Sequence, residues 1–172
     1  MRRQRGFSMI EILVALVVLA IGLLGMAGLQ AASLRATADG GNLGSAVRLA
    51  YDMADRVRLE PTSAALFIAD AATDKKATDT SGCYSGAGCN GPTRVTAGVA
   101  EWQRLLAARL PAGDGIVCRD STPYDGTGSA APACTGLAAD PLVVKVWWRA
   151  ADLTRQSADG TVVMRHVSVV GL

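Results

Sequence analysis

From Ile12 to Leu34 the chain runs 23 residues without a charged side chain, ILVALVVLAIGLLGMAGLQAASL. At a rise of about 1.5 Å per residue this is about 35 Å of helix, against a hydrocarbon core of about 30 Å. Such a segment belongs in lipid or among other apolar helices, so it sets the organisation of everything around it. The chain of 172 residues is 50% hydrophobic but only 5% aromatic, which marks an average over two unlike parts. One is this aliphatic helix; the other, residues 35–172, has the length of a single domain. The formal charge of +2 divides the same way. Residues 35–172 hold 14 basic and 14 acidic side chains, and Arg2, Arg3 and Arg5 crowd into the first five positions. A neutral remainder gives no argument for a nucleic-acid partner.

A basic head before a long apolar run admits three readings. A cleavable secretory signal has a shorter apolar region ending at a small-x-small site. Here the one candidate, Gly25-Met26-Ala27, is still inside the run. An ordinary signal anchor, held N-terminus-in by its arginines, explains every residue except Glu11. A carboxylate near the start of a membrane helix costs up to about 3 kcal/mol and is by default a functional residue in search of a partner.

The string RGFSMIEILVALVVLAIGLLGMAGLQ carries the third reading. A short basic leader ends in Gly6, Phe7 follows, Glu11 comes four residues later, and the apolar helix begins. This resembles the N-terminal signature of type IV prepilins and related pseudopilins. The resemblance implies cleavage between Gly6 and Phe7 by a membrane peptidase on the cytoplasmic side, then N-methylation of the new Phe7 amine. It also implies partners: a prepilin peptidase/methyltransferase, the inner-membrane assembly machinery, and other minor and major pilins. Elementary electrostatics agrees, since the Glu11 carboxylate of one subunit can neutralise the Phe7 amine of its neighbour and lower the cost of burying either charge. Glu11 then reads as a residue of assembly and not as a catalytic acid. Gly22, Gly25 and Gly28 weaken the helix locally, either for close packing or for bending.

Three parts follow: a leader, 1–6; a transmembrane or filament-core helix, 7–34; and a periplasmic head, 35–172, into which the helix continues to about residue 60. Leu43, Val47, Ala50, Ala54 and Val57 form the apolar stripe of that continuation, Pro61 ends it, and Gly40-Gly41 is its candidate kink. Asp52, Asp55, Arg56 and Arg58 lie off the stripe as a solvated face. The surrounding segment AYDMADRVRLEP resembles the corresponding part of PilV-type minor pilins. Residues 62–96 read as loop. A helix is expected from Val99 to Leu110, then strands at Gly115–Arg119, Leu142–Ala150 and Thr161–Val170, the last two joined by a Ser157–Gly160 turn. Alternation places Leu142, Val144, Val146 and Trp148 on one face of the second strand and Lys145, Trp147 and Arg149 on the other. Trp147 is a cross-strand packing residue or, if exposed, a contact surface. The fold class is α+β and pilin-like: a long N-terminal α-helix packed on a small antiparallel sheet, with disulfide-stapled loops.

Cysteines 83, 89, 118 and 134 all follow the apolar segment, on the oxidising side of the membrane if the N-terminus is inside. Of three possible pairings, Cys83–Cys89 and Cys118–Cys134 staple two Gly/Ser-rich loops locally. Zinc wants CxxC spacing or paired histidines; His166 is the only histidine, so no metal and no cofactor is expected. No nucleophile–base set or phosphate-binding loop can be argued from spacing. The resemblance therefore implies a non-enzymatic minor pilin that primes or modifies pilus assembly. A pseudopilin of the type II secretion system is the near alternative, and a bitopic periplasmic binding or sensor domain the distant one.

Overall fold

The computed structural model describes residues 8–73, 83, 86, 88–150 and 164–171. The chain divides into two units, residues 1–38 and 39–172. Helix α1, Met9–Leu59, contributes to both. It is continuous through Gly40-Gly41, so the expected break there is not present. Two glycines cost a helix about 2 kcal/mol relative to alanines, which is too little to end a helix of 51 residues flanked by good helix formers. Its end is where proline chemistry puts it: Leu59 is the last helical residue, Glu60 turns extended, and Pro61 follows.

In the first unit, Met9–Ala38, the large aliphatic side chains are exposed all round the helix, including Ile10, Leu13, Val17 and Leu24. A helix apolar on every face has no soluble side and needs lipid or other helices as its surroundings.

In the second unit α1 presents Ala46, Leu49, Ala50, Met53, Ala54 and Val57 to the core. The buried stripe is thus rotated from the one read by spacing: Ala50, Ala54 and Val57 belong to it, but Leu43 is exposed and Val47 only half-buried. The partner helix decides this. Trp102 is fully buried, and its indole Nε1 donates to the Leu49 carbonyl at 2.8 Å, so α1 turns its small residues toward the ring.

Between α1 and the sheet lie a short 3₁₀ turn, Pro61–Ser63, and two helices, α2 (Ala64–Thr73) and α3 (Gly91–Arg109). Both occupy a stretch expected to be loop, and α3 begins eight residues before Val99. Gly91-Pro92 reads as a breaker, yet proline fits the first turn of a helix, where its missing N–H is not needed. Asn90 caps the helix, its Oδ1 accepting from Thr93 N at 2.9 Å. Val95, Val99, Trp102 and Leu106 then repeat at helical spacing into the core.

Strands β1 (Asp114–Arg119), β2 (Leu142–Arg149) and β3 (Met164–Val170) form one antiparallel sheet in the order β1-β2-β3. The expected Ser157–Gly160 turn and the first residues of the expected third strand lie outside the described residues. Register pairs Gly115 with Val146 and Val117 with Val144, and on the other side Val146 with Val167 and Val144 with Val169. That face meets the helices: a Cβ at Gly115 would overlap the Trp102 ring and the Leu106 side chain. The opposite face carries Ile116, Cys118, Val143, Lys145, Trp147, His166 and Ser168.

The second face departs from expectation. Lys145 and Trp147 are buried, and of the strand's outward set only Arg149 is exposed. Alternation places side chains on faces but does not say which face is wet, and an antiparallel sheet can be covered on both. Here residues 120–136 form a strap across the face and dry it.

Candidate assembly site and buried charge network

Glu11 stands in the first turn of α1, where a carboxylate is favoured by the unpaired N–H groups and the helix dipole. The helix is opened by Ser8, whose carbonyl accepts from Glu11 N at 3.0 Å and Ile12 N at 3.3 Å. Glu11, Ile12, Ala15, Leu16 and Leu19 line a shallow open groove along one side. Ala15 supplies the step in it, one turn from the carboxylate. An acidic head on an otherwise aliphatic channel can accept a cationic group presented by another apolar chain. The expected cleavage pair Gly6 and Phe7 lies outside the described residues.

The charged face of α1 is more connected than a solvated row. Arg58 pairs with Asp55 at 2.8 Å on the surface, a contact worth a few tenths of a kcal/mol. Arg56 does more: its Nε meets Asp52 at 3.1 Å, and its guanidinium reaches across to Glu101 and the Gly98 carbonyl of α3, each at 3.4 Å. Arg94 of α3 pairs with Glu60 just beyond the end of α1. These pairs tie α1 to α3 along one seam.

Two disulfides are present, Cys83–Cys89 and Cys118–Cys134. Asp120 lies beside the second, its carboxylate within 4.8 Å of both sulfurs. Two of those three donors are bonded to each other and the third is engaged by a lysine, so the cluster is a staple and an ion pair.

That lysine is Lys145, a residue whose importance spacing alone did not reveal. Its Nζ pairs with Asp120 Oδ2, with Asp125 Oδ1 at 2.8 Å, and with the carbonyls of Pro132 at 2.9 Å and Asp125 at 3.3 Å. Lys145 and Asp120 are both fully buried. Asp120 Oδ1 in turn accepts from the Thr122 backbone N–H at 2.9 Å and from the Thr122 hydroxyl. Burial pushes the Asp120 carboxyl up, but the Lys145 and Thr122 contacts outweigh it and hold it below the usual carboxylate range. Lys145 and Thr122 hold Asp125 below it as well. His166, with its ring 6.3 Å from that of Trp147, is pushed down by burial and then by the Lys145 ammonium. The signal available in the sequence was a single lysine inside the otherwise apolar LVVKVWW, followed to its partners only by the fold.

Comparison with known families bears on both units. Residues 1–27 match the prokaryotic N-terminal methylation motif, and residues 28–94 match type IV pilin Tt1218. The two matches abut and cover the leader, all of α1, α2 and the start of α3. The chain belongs to the type IV pilin family. No curated protein and no solved structure matches it. In a pilin the apolar helix is the part that anchors and packs, and the groove at Glu11 falls within the methylation-motif segment.

Proposed function

We propose that this pilin is a minor subunit of the type IV pilus, made as a prepilin and acting in the priming or modification of pilus assembly. The observation that carries the reading is Glu11: a carboxylate in a groove of an otherwise aliphatic helix, within a methylation-motif match. Cleavage between Gly6 and Phe7 removes three arginines and creates a methylated amine at Phe7. In the filament that amine seats against Glu11 of a neighbouring subunit, and each charge offsets the desolvation of the other. Before assembly the chain spans the bacterial inner membrane once, N-terminus in the cytoplasm and head in the periplasm. Its partners are a prepilin peptidase/methyltransferase, the inner-membrane assembly machinery, and other minor and major pilins; its role is structural and not enzymatic. The match of residues 28–94 to a type IV pilin favours the pilus over a secretion pseudopilus.

Intact-mass and N-terminal fragment spectra of the protein from native membranes test this directly. The expected result is a chain beginning at methyl-Phe7 with a side-chain charge of −1, from 14 basic and 15 acidic residues. A chain beginning at Met1, or cut near Ala27, overturns the reading.

A further inference from the structure

The strap over the outer sheet face is held by two different devices, and their chemistry opposes and supports closure in turn. The covalent one is Cys118–Cys134, which joins the end of β1 to the strap across 16 residues. The other is the Lys145 ammonium, surrounded by four oxygens that all come from the strap: one each from the carboxylates of Asp120 and Asp125, and the carbonyls of Asp125 and Pro132. Few other contacts bind strap to sheet; Ser168 donates to the Pro123 carbonyl, and Ser129 to Asp114. Within the strap, Thr127 N donates to the Ala131 carbonyl, and Gly136 N returns to Arg119 O at the end of β1. Gly126, at φ 88°, brings its backbone so close to Pro132 that a Cβ would overlap the Pro132 carbonyl. The strap is shaped around the ammonium.

With the strap lifted, Lys145 regains water while Ile116, Val143 and Trp147 lose their cover. With it closed, the apolar face is dry but the ammonium depends wholly on strap oxygens. A buried ion pair returns little beyond its desolvation, so the pair alone does not drive closure. Cross-linking a loop of about 15 residues favours the closed form by about a hundredfold.

We propose that residues 120–136 form a redox-latched strap: closed when Cys118–Cys134 is oxidised, and open when it is reduced, because Lys145 then prefers water. Latching is a thiol–disulfide exchange. One cysteine thiolate attacks a donor disulfide, the second cysteine resolves the mixed disulfide, and two electrons and two protons leave with the donor as two thiols. A head that has not met an oxidising compartment therefore keeps an apolar Trp147 face uncovered, and latching makes it fit for packing.

Hydrogen exchange on the full-length chain in detergent tests this. Reduction by a phosphine, or the variant Cys118→Ser/Cys134→Ser, should cut protection of the Thr127 and Gly136 amides by about a hundredfold. The amides of α3 and of the β2–β3 ladder should keep theirs. Adding Lys145→Met and Asp120→Asn to the serine variant should restore strap protection to within about threefold of wild type, since the ammonium that opposes closure is gone. Wild-type strap protection in the reduced chain overturns the latch. Parallel loss of protection throughout the head overturns it too, as does failure of the added pair to restore the strap. If the serine variant does not fold, phosphine titration of wild type still separates local from global opening.

Discussion

Lys145 is the residue at which a sequence reading and the molecule part most sharply. Alternation in LVVKVWW puts it on the outward face correctly, but whether that face is wet depends on a strap 10 to 25 residues upstream, which no local pattern encodes. Glu11 is the opposite case: its meaning is local, a carboxylate beside an uncharged run of 23 residues. The titrating groups around Lys145 yield a prediction with a definite sign. His166, Asp120 and Asp125 all take up protons less readily in the folded head than in the unfolded chain. In each case the unfolded state binds more protons, so stability rises with pH across the window between the folded and unfolded values. On acidification, stability should begin to fall below about pH 6.5 as His166 resists its proton, and fall again below about pH 3.9 as the two carboxylates do. All three tryptophans lie in the head, so their fluorescence during denaturant unfolding of the full chain follows it. His166→Gln should abolish the upper limb and leave the lower one; an unchanged upper limb would show that another group titrates there.

Among the elements, those whose ends are set by backbone chemistry were the ones readable beforehand. Pro61 ends α1, and β1, β2 and the visible part of β3 fall where apolar alternation places them. What failed were elements whose local signals point two ways. Gly91-Pro92 looks like a break and is a first helical turn, and Gly40-Gly41 looks like a break and is helix interior. The rotated stripe of α1 failed for another reason, because the packing of Trp102 chooses among nearly equivalent small residues. That packing also explains a glycine that sequence leaves unremarked. Gly115 in β1 sits against the Trp102 ring and Leu106, with the Lys145 carbonyl on its third side. Replacing Gly115 by Ala inserts a methyl where two buried side chains and a backbone already meet, and overpacking of this kind costs about 1–3 kcal/mol. The melting temperature of the head should drop by several degrees, whereas Gly128→Ala, in open space, should leave it within a degree or two. Equal effects of the two substitutions would refute the contact.

For the molecule as a whole, one helix serves two solvents. Its second half buries Ala46 to Val57 in a head with a core of its own, while its first half exposes aliphatic side chains in every direction. Lipid can satisfy that first half, and so can a bundle of identical helices, and the two surroundings place different demands on Glu11. At the edge of a bilayer the carboxylate is tolerated but useless, and a valine would be slightly better. In a bundle that excludes water, it is costly alone and stabilising once it meets a cation. Glu11→Val therefore separates the two states. The variant should accumulate in membranes at the wild-type level, because every determinant of insertion is kept. Its recovery in sheared pili should fall by an order of magnitude or more, because the neighbouring Phe7 amine is left buried without a counter-charge. Immunoblots of membrane and sheared fractions give both numbers from one culture. If incorporation is unchanged, neutralisation by Glu11 is not what selects the filament. If the membrane pool falls in step, Glu11 acts in insertion or turnover and the pairing argument fails. A fall in incorporation at constant membrane level is the result that only an assembly role for the carboxylate produces.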